Sequence, residues 1–280
     1  MNKLCVIGDP VLHSKSPLIH TTMIRELGLE QDYEYLCQPI KKEDVPLWLD
    51  RVRAEGWAGF NATMPHKEVL VPYMDQLDED VQTFGAVNTV CYKNGKLYGY
   101  NTDGRGFVRA LEGAGIPVQG TRFTVLGAGG AAKAVILKLV QQGASHVTIC
   151  NRSLEKAEML AAQKINIMST RGFSAAELSR AAADCDVLIN CTNLGMSGSP
   201  EFENLDFLDT LSAHARVCDL IYHPLETALL ARARELGHPT VNGLPLLIHQ
   251  AILALEHFTG LSIDAAAMLP VVKTALEKEL

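Results

Sequence analysis

No apolar run in this 280-residue chain is long enough to cross a bilayer, so no membrane span and no membrane partner is expected. Positive charge is in deficit, 25 lysines and arginines against 32 aspartates and glutamates, for a formal net charge of −7. That excludes a broad basic face for nucleic acid or anionic lipid, and any anionic ligand must rely on local groups. Cysteines at metal-ligand spacing are missing as well. The seven, at 5, 37, 91, 150, 185, 191 and 218, are scattered and odd in number, with no C-x-x-C pair and no Cys/His zinc pattern. They read as small buried residues in a reducing compartment. No metal, no structural disulfide and a cytoplasmic location are therefore expected. Met1 leads at once into a predicted strand at Leu4–Ile7, so no signal or transit segment is expected. What is there is 48% hydrophobic and 20% charged, with length for two ordinary domains.

The most informative stretch runs from Thr121 to Lys156. Phe123–Leu126 is a short apolar run that predicts a buried parallel strand. It breaks at Gly127-Ala128-Gly129-Gly130 and passes through Ala131 into an Ala-rich helical pattern that ends near Gly143. Val147–Cys150 predicts a second strand. Strand, Gly-rich turn, helix and strand make a dinucleotide-binding unit with the spacing G-x-G-x-x-A at Gly127, Gly129 and Ala132. The first glycine allows the tight turn, the second lets backbone approach a pyrophosphate, and Ala132 keeps helix and strand close. Free N–H groups and the helix dipole favour the phosphates. At the end of the second strand an NAD site usually carries an acid for the ribose 2′-hydroxyl. Here Asn151, Arg152 and Ser153 stand there, with Lys156 a turn further. A carboxylate would repel a 2′-phosphate, whereas a guanidinium can grip it. The alternative for Arg152 and Lys156 is a solvated charged face; the missing acid favours NADP.

Before this unit, Ser16-Pro17 predicts a helix start with Ser16 as N-cap. Ser14 and Ser16, two apart in a segment expected to be extended, would point the same way, an arrangement suited to a small anion. Ser16 acting only as a cap is the plainer alternative. Tyr33–Gln38 predicts a strand and Val45–Arg53 a helix. Asn61 and Thr63 alternate onto one face, and Pro65 opens a short helix carrying Lys67, which is either an ordinary exposed lysine or one aimed at a ligand beyond the strand end. Asn88 lies in a segment leading into a hairpin turned at Asn94-Gly95. Asp103 follows the second hairpin strand, either as a helix cap or as a residue able to see both bound molecules.

After the cofactor unit, Ser174 and Glu177 form a capping-box pattern. Asp186–Cys191 predicts a strand ending in Thr192-Asn193-Leu194-Gly195-Met196, a loop expected over the cofactor. Val217–Tyr222 predicts another strand, and 225–236 a helix. Successive strand–helix units fit one doubly wound sheet. A helix from Pro245 to Phe258 carries Gln250, which faces either solvent or the cleft, and a last helix closes the chain near Leu280. These two helices have no strand partner of their own and are expected to pack on the first domain. The expected fold is therefore α/β in two domains. One is an α/β substrate domain, 1–102 completed by 243–280; the other is a Rossmann-type, doubly wound NADP-binding domain, 103–242.

Taken in order, H-S-K-S-P at 13–17, N-A-T-M-P-H-K at 61–67, G-A-V-N-T at 85–89 and N-T-D at 101–103 resemble the shikimate dehydrogenases. So do G-A-G-G-A-A-K-A at 127–134, N-R-S at 151–153, T-N-L-G-M at 192–196, D-L-I-Y-H-P-L-E-T at 219–227 and N-G-L-P-L-L-I-H-Q at 242–250. The resemblance covers essentially the whole chain. It implies NADP-dependent reduction of 3-dehydroshikimate to shikimate in aromatic amino-acid biosynthesis, by a monomer or homodimer acting on a small molecule. Carried over motif by motif, it implies Ser14 and Ser16 on the substrate carboxylate and Asn61, Thr63, Asn88 and Gln250 on the ring hydroxyls. Lys67 and Asp103 would be the catalytic pair, with Tyr222 on the substrate side. Thr192, Met196, Leu220 and Gly243 would adjoin the cofactor, Gly243 on its nicotinamide side. The chain departs from the family pattern at Thr21, Ala62, Lys133, Ser153 and Phe258. None of these touches the catalytic pair; Ser153 bears on 2′-phosphate binding.

Overall fold

The structure is a computed structural model that describes residues 1–162 and 166–279. Its backbone contacts group the chain into two compact units. The first takes in residues 1–106 and 248–279, the second residues 107–247.

In the first unit the apolar run at the start forms β1 (Asn2–Gly8), buried from Leu4 onward as a strand covered on both faces must be. Then come α1 (Ser16–Glu26), β2 (Tyr33–Pro39), α2 (Val45–Glu55), β3 (Gly59–Ala62), the single-turn α3 (His66–Val69), β4 (Gln76–Leu77) and α4 (Glu79–Phe84). The hairpin of β5 (Thr89–Lys93) and β6 (Lys96–Tyr100) turns at Asn94 (φ 53°) and Gly95 (φ 77°), the two positive values that an Asn-Gly turn supplies. Strand order is β2-β1-β3-β5-β6-β4. β1 pairs in parallel with β2 and β3, and β5 runs antiparallel to both β3 and β6. Trp48, Trp57 and Phe60 pack edge to face in the core beneath the sheet. β3 thus ends with Asn61 and Ala62 beside the Thr89 end of β5, and α5 (Asp103–Gly113) starts just beyond β6.

The second unit is built of β7 (Arg122–Leu126), α6 (Gly130–Gln141), β8 (His146–Cys150), α7 (Leu154–Ala161), β9 (Met168–Arg171) and α8 (Ala175–Ala183). β10 (Val187–Asn190), β11 (Arg216–Asp219), α9 (Ala228–Glu235) and β12 (Thr240–Val241) complete it. All six strands are parallel, in the order β9-β8-β7-β10-β11-β12. The order reverses between β7 and β10, so the carboxyl ends of those two strands flank the crevice where doubly wound sheets take their ligands. α10 (Leu244–Thr259) and α11 (Ala265–Glu277) end the chain; Leu280 lies outside the described residues.

Several local expectations are corrected. Lys15 is helical (φ −82°, ψ −4°), so Ser14 and Ser16 do not alternate along an extended segment. Ser16 is the first helical residue, not the cap; its N–H donates to Ser14 Oγ at 3.2 Å. The capping box is half formed. Ser174 Oγ accepts from Glu177 N at 3.4 Å, but the Glu177 carboxylate turns to Arg171 and Arg180. The strand expected over 217–222 ends at Asp219, and the next helix begins at Ala228, because the Thr227 hydroxyl donates to buried Asp219 Oδ2 at 2.8 Å and holds 220–227 as a loop. β4, β9 and β12 were not foreseen. Among the described residues no helix is long and apolar enough to cross a membrane.

Candidate active site

In the first unit, Lys67 Nζ donates to Asp103 Oδ2 at 2.6 Å. Lys67 rides on α3, which Pro65 opens and which Thr63 holds by accepting from His66 N at 2.9 Å. Asp103 does not cap α5. Its N–H donates to Asn101 Oδ1 at 3.1 Å, and its two carboxylate oxygens accept from Lys67 and Asn88. The start of that helix is held further by Arg105, whose Nε donates to buried Asp80 Oδ2 at 2.7 Å. Both charged groups of the pair are partly open, with side chains 30% and 20% exposed, so a ligand can reach them.

Behind the pair lies a buried polar chain. Asn88 Nδ2 donates to Asp103 Oδ1 and to Thr102 Oγ1, both at 2.9 Å, while Asn88 Oδ1 accepts from Thr102 N and Thr89 Oγ1, also at 2.9 Å. Asn61 Nδ2 donates to Asn88 O (3.2 Å) and Thr89 Oγ1 (3.0 Å), and its Oδ1 accepts from the Tyr35 phenol at 2.7 Å. Lys67, Asp103, Asn88 and Asn61 are thus brought into one network. Within it Asn88 is committed to Asp103, Thr102 and Thr89, so a substrate hydroxyl would reach it only by displacing one of those bonds. Burial pushes the Tyr35 phenol well above its ordinary range, with a hydrogen bond to Ser16 acting the other way, which ties Ser16 to the same region. Thr63 lies just past β3, its methyl filling the space that a Cβ on Gly8 would need. At Gln250 the backbone of α10 passes so close to Gly106 that an added Cβ there would stand 2.7 Å from Gln250 N.

In the second unit, a groove of about 330 Å³ is lined by Gly127, Ala128, Gly129, Asn151, Arg152, Ser153, Lys156 and Thr192. Phe173, Cys191, Asn193 and Leu194 complete the lining, and no carboxylate stands among these residues. Gly127 has φ +108°, and a side chain there would press on Cys191 O and the Thr192 methyl at 3.2 Å. Gly129 precedes α6 with no side-chain cap, and Cβ atoms added at Gly129 or Gly130 would meet only open space. The first N–H groups of α6, from Gly130 and Ala131, are thus offered to an anion. An uncapped helix start, open glycines and two cations without an acid fit a dinucleotide bearing a 2′-phosphate.

Thr192 donates both N–H and Oγ1–H to Asn190 Oδ1 (3.0 and 2.7 Å), and Asn190 Nδ2 donates to Asp219 Oδ1 at 3.1 Å. Met196 is exposed, and the next residue's N–H reaches His223 O at 3.1 Å, joining this loop to the segment after β11. Gly243 lies so near Leu220 that an added Cβ would fall 2.0 Å from Leu220 O. Burial raises the Tyr222 phenol above its usual range.

Comparison with known proteins bears on both units. The family model described as "Shikimate dehydrogenase substrate binding domain" matches residues 6–90, and the one described as "Shikimate / quinate 5-dehydrogenase" matches residues 112–199. A shikimate dehydrogenase (NADP(+)) of Alkaliphilus metalliredigens is 40% identical over 264 residues, covering 91% of this chain and 90% of the relative. The chain belongs to the shikimate dehydrogenase family. Shikimate 5-dehydrogenase of Thermus thermophilus, crystallised with NADP(H) and shikimate, superposes with TM-score 0.84 at 35% identity, covering 98% of this chain and 100% of that one. The ligand-free 5-ketofructose reductase of a Gluconobacter strain superposes with TM-score 0.86 at 30% identity, covering 98% of each. The fold shared by this family therefore houses more than one carbonyl chemistry, and the choice rests on side chains.

Tyr35, Phe173 and Gly106 are among the residues of the site that escaped sequence reasoning. Tyr35 looks like a strand aromatic, and only its partner 26 residues away gives it a polar part. Phe173 lies before a cap, with nothing to mark it as a groove wall. Gly106 looks like an indifferent helix glycine until Gln250 is seen against it. A second glycine two positions after Gly104, on the turn of helix that follows Asp103, was the available signal.

Proposed function

We propose that this chain is an NADP-dependent oxidoreductase acting on a CH–OH group, reversibly reducing 3-dehydroshikimate to shikimate in aromatic amino-acid biosynthesis. The observation that carries the reading is the 2.6 Å pair of Lys67 and Asp103, partly exposed at the end of a buried polar chain that contains Asn61 and Asn88. Membership in a family whose relatives bear that name supports it.

NADP, when bound, supplies or removes the hydride at the ring carbon that carries oxygen. Gly127–Ala131 and the start of α6 would hold its pyrophosphate, and Asn151, Arg152, Ser153 and Lys156 its 2′-phosphate. Thr192, Met196, Leu220 and Gly243 would border the remainder. In the first unit the hydroxyls of Ser14 and Ser16 would receive the substrate carboxylate. Thr63, Asn61 and Gln250 would take the ring hydroxyls, Asn88 joining by exchange of one of its bonds. Lys67 would give its proton to the ketone oxygen, or stabilise the developing alkoxide as a cation. Asp103, held by Asn88 from behind, fixes the direction of the ammonium and accepts from a neighbouring hydroxyl.

We further place the protein in the cytoplasm, as a monomer or homodimer. All seven cysteines are free, and burial lifts the thiols of Cys91, Cys150, Cys185 and Cys218 to about 12, so each stays protonated and slow to oxidise.

The decisive experiment is an absorbance assay of nicotinamide reduction with shikimate and quinate, each against NADP and NAD. Turnover with shikimate and NADP well above the other three combinations is expected. Preference for quinate, or for NAD, would overturn the assignment at the substrate or the cofactor respectively.

A further inference from the structure

We infer that Tyr35 is a positioning residue for the substrate site, its phenol fixing the direction in which Asn61 presents its amide. The inference rests on the reading above, in which Asn61 meets a substrate hydroxyl. Its basis is a hydrogen-bond chain whose polarity two backbone groups determine. The Asn88 carbonyl can only accept, so the Asn61 atom 3.2 Å from it must be Nδ2, and Oδ1 must face Tyr35. Tyr35 therefore donates. The Thr102 N–H can only donate, so the Asn88 atom 2.9 Å from it must be Oδ1, and Nδ2 must face Asp103. Thr89 then accepts from Asn61 and donates to Asn88 Oδ1. Along the side-chain path Tyr35–Asn61–Thr89–Asn88–Asp103, each bond donates towards the Asp103 carboxylate.

This polarity has a consequence for recognition. Both Asn61 amide hydrogens are committed inside the protein, and among the described residues Oδ1 has Tyr35 as its donor. One lone pair on Oδ1 remains. Asn61 can therefore accept from a ligand hydroxyl and has no hydrogen to offer a ketone, so it discriminates an alcohol from a carbonyl at its position. The phenol that enforces this is itself rigid. Tyr35 is 7% exposed, and its ring stacks on His20 at 4.1 Å between centroids and 3° between planes. Burial lowers His20 to about 3, so the stack is between neutral rings.

Tyr35→Phe keeps the ring and its stack and removes the hydroxyl, with its bond to Asn61 and its bond with Ser16. Shikimate affinity, measured by calorimetry without cofactor, should weaken roughly tenfold, the worth of one net hydrogen bond. KM for shikimate should rise alongside, while kcat changes little because Asn88, itself bonded to Thr102, still holds Asp103. NADP affinity should be unchanged. A purely structural role would not give that split, nor the second arm: on an Asn61→Ala background, Tyr35→Phe should cost clearly less than it does alone, what remains being its bond with Ser16. Wild-type affinity in Tyr35→Phe, or a full additional loss in the double variant, overturns the inference. Fluorescence of Trp48 and Trp57, both in the core of this unit, reports whether it is folded. Should Tyr35→Phe fail that check, Asn61→Asp decides. It puts an oxygen against the Asn88 carbonyl and should lose at least tenfold in shikimate affinity, and wild-type binding would refute the polarity. A wild-type protein that neither binds nor oxidises shikimate overturns the functional reading itself, and this inference with it.

Discussion

The Lys67 ammonium and the Asp103 carboxylate are separated by 36 positions in sequence and by 2.6 Å in space. An ion pair this open to solvent contributes about 1 kcal/mol or less to stability, so its geometry is better explained by chemistry than by folding. Lys67→Ala should lower kcat by roughly 10²–10⁴-fold, the usual worth of a positioned acid or base, with KM changed far less. The melting temperature should hardly move. Asp103→Asn should also fall in kcat, since an amide that keeps its oxygen towards Asn88 sets an NH₂ against the ammonium. Near-normal turnover in the lysine variant would remove Lys67 from the mechanism.

Arg152 is exposed, and its side chain lines the same groove as Gly127 and Gly129, with no acid among the lining residues. Arg152→Ala should raise the Kd for NADPH roughly tenfold or more, as loss of a charge-assisted hydrogen bond does. NADH binding should change little. Titrating both nucleotides by fluorescence tests this directly, and an equal loss for the two would show that the arginine does not read the 2′-phosphate.

What could be read in advance follows physical lines. β7, β8 and the turn to α6 are legible because a strand buried on both faces is a continuous apolar run, and a glycine turn interrupts it visibly. β9 is not, since Met-Ser-Thr-Arg at a sheet edge buries only its methionine. The Ser14/Ser16 alternation fails for a local reason, because Lys15 adopts a helical conformation before the helix begins. Among the site residues, Lys67 and Asp103 stand in recognisable motifs, whereas Tyr35 takes its role from partners that only the sheet brings near. Non-local pairing is the part that spacing along the chain cannot express.

Two glycines should separate fold from ligand. A Cβ at Gly243 would fall 2.0 Å from Leu220 O, so Gly243→Ala must shift backbone and should destabilise the second unit by about 1–3 kcal/mol. A Cβ at Gly129 meets nothing within 4 Å, and its φ of −81° suits alanine. Gly129→Ala should therefore melt like the wild type yet bind NADP several-fold more weakly, because the added methyl occupies the approach to α6. Unchanged affinity in Gly129→Ala would argue against a pyrophosphate at that turn.

Asp219 offers a pH test confined to the second unit. Burial raises its carboxyl from 3.8 to about 6, against the hydrogen bonds from Ile221 N, Thr227 and Asn190 that lower it. The folded form therefore holds this proton where the unfolded chain has released it. Its contribution to stability is fully present below about pH 4 and is lost as pH rises through about 6, a change on the order of 3 kcal/mol. Its ionisable neighbours Cys191 and Cys218 are pushed to high values by burial and do not titrate in that window. Asn at 219 can still accept from Ile221 N and Asn190, and its NH₂ can donate to the Thr227 hydroxyl once that proton turns away. In denaturant titrations across this window, wild-type stability relative to Asp219→Asn should fall with rising pH. Parallel curves for the two proteins would mean that the carboxylate is already ionised in the folded state, with the Asn190 and Thr227 bonds outweighing its burial.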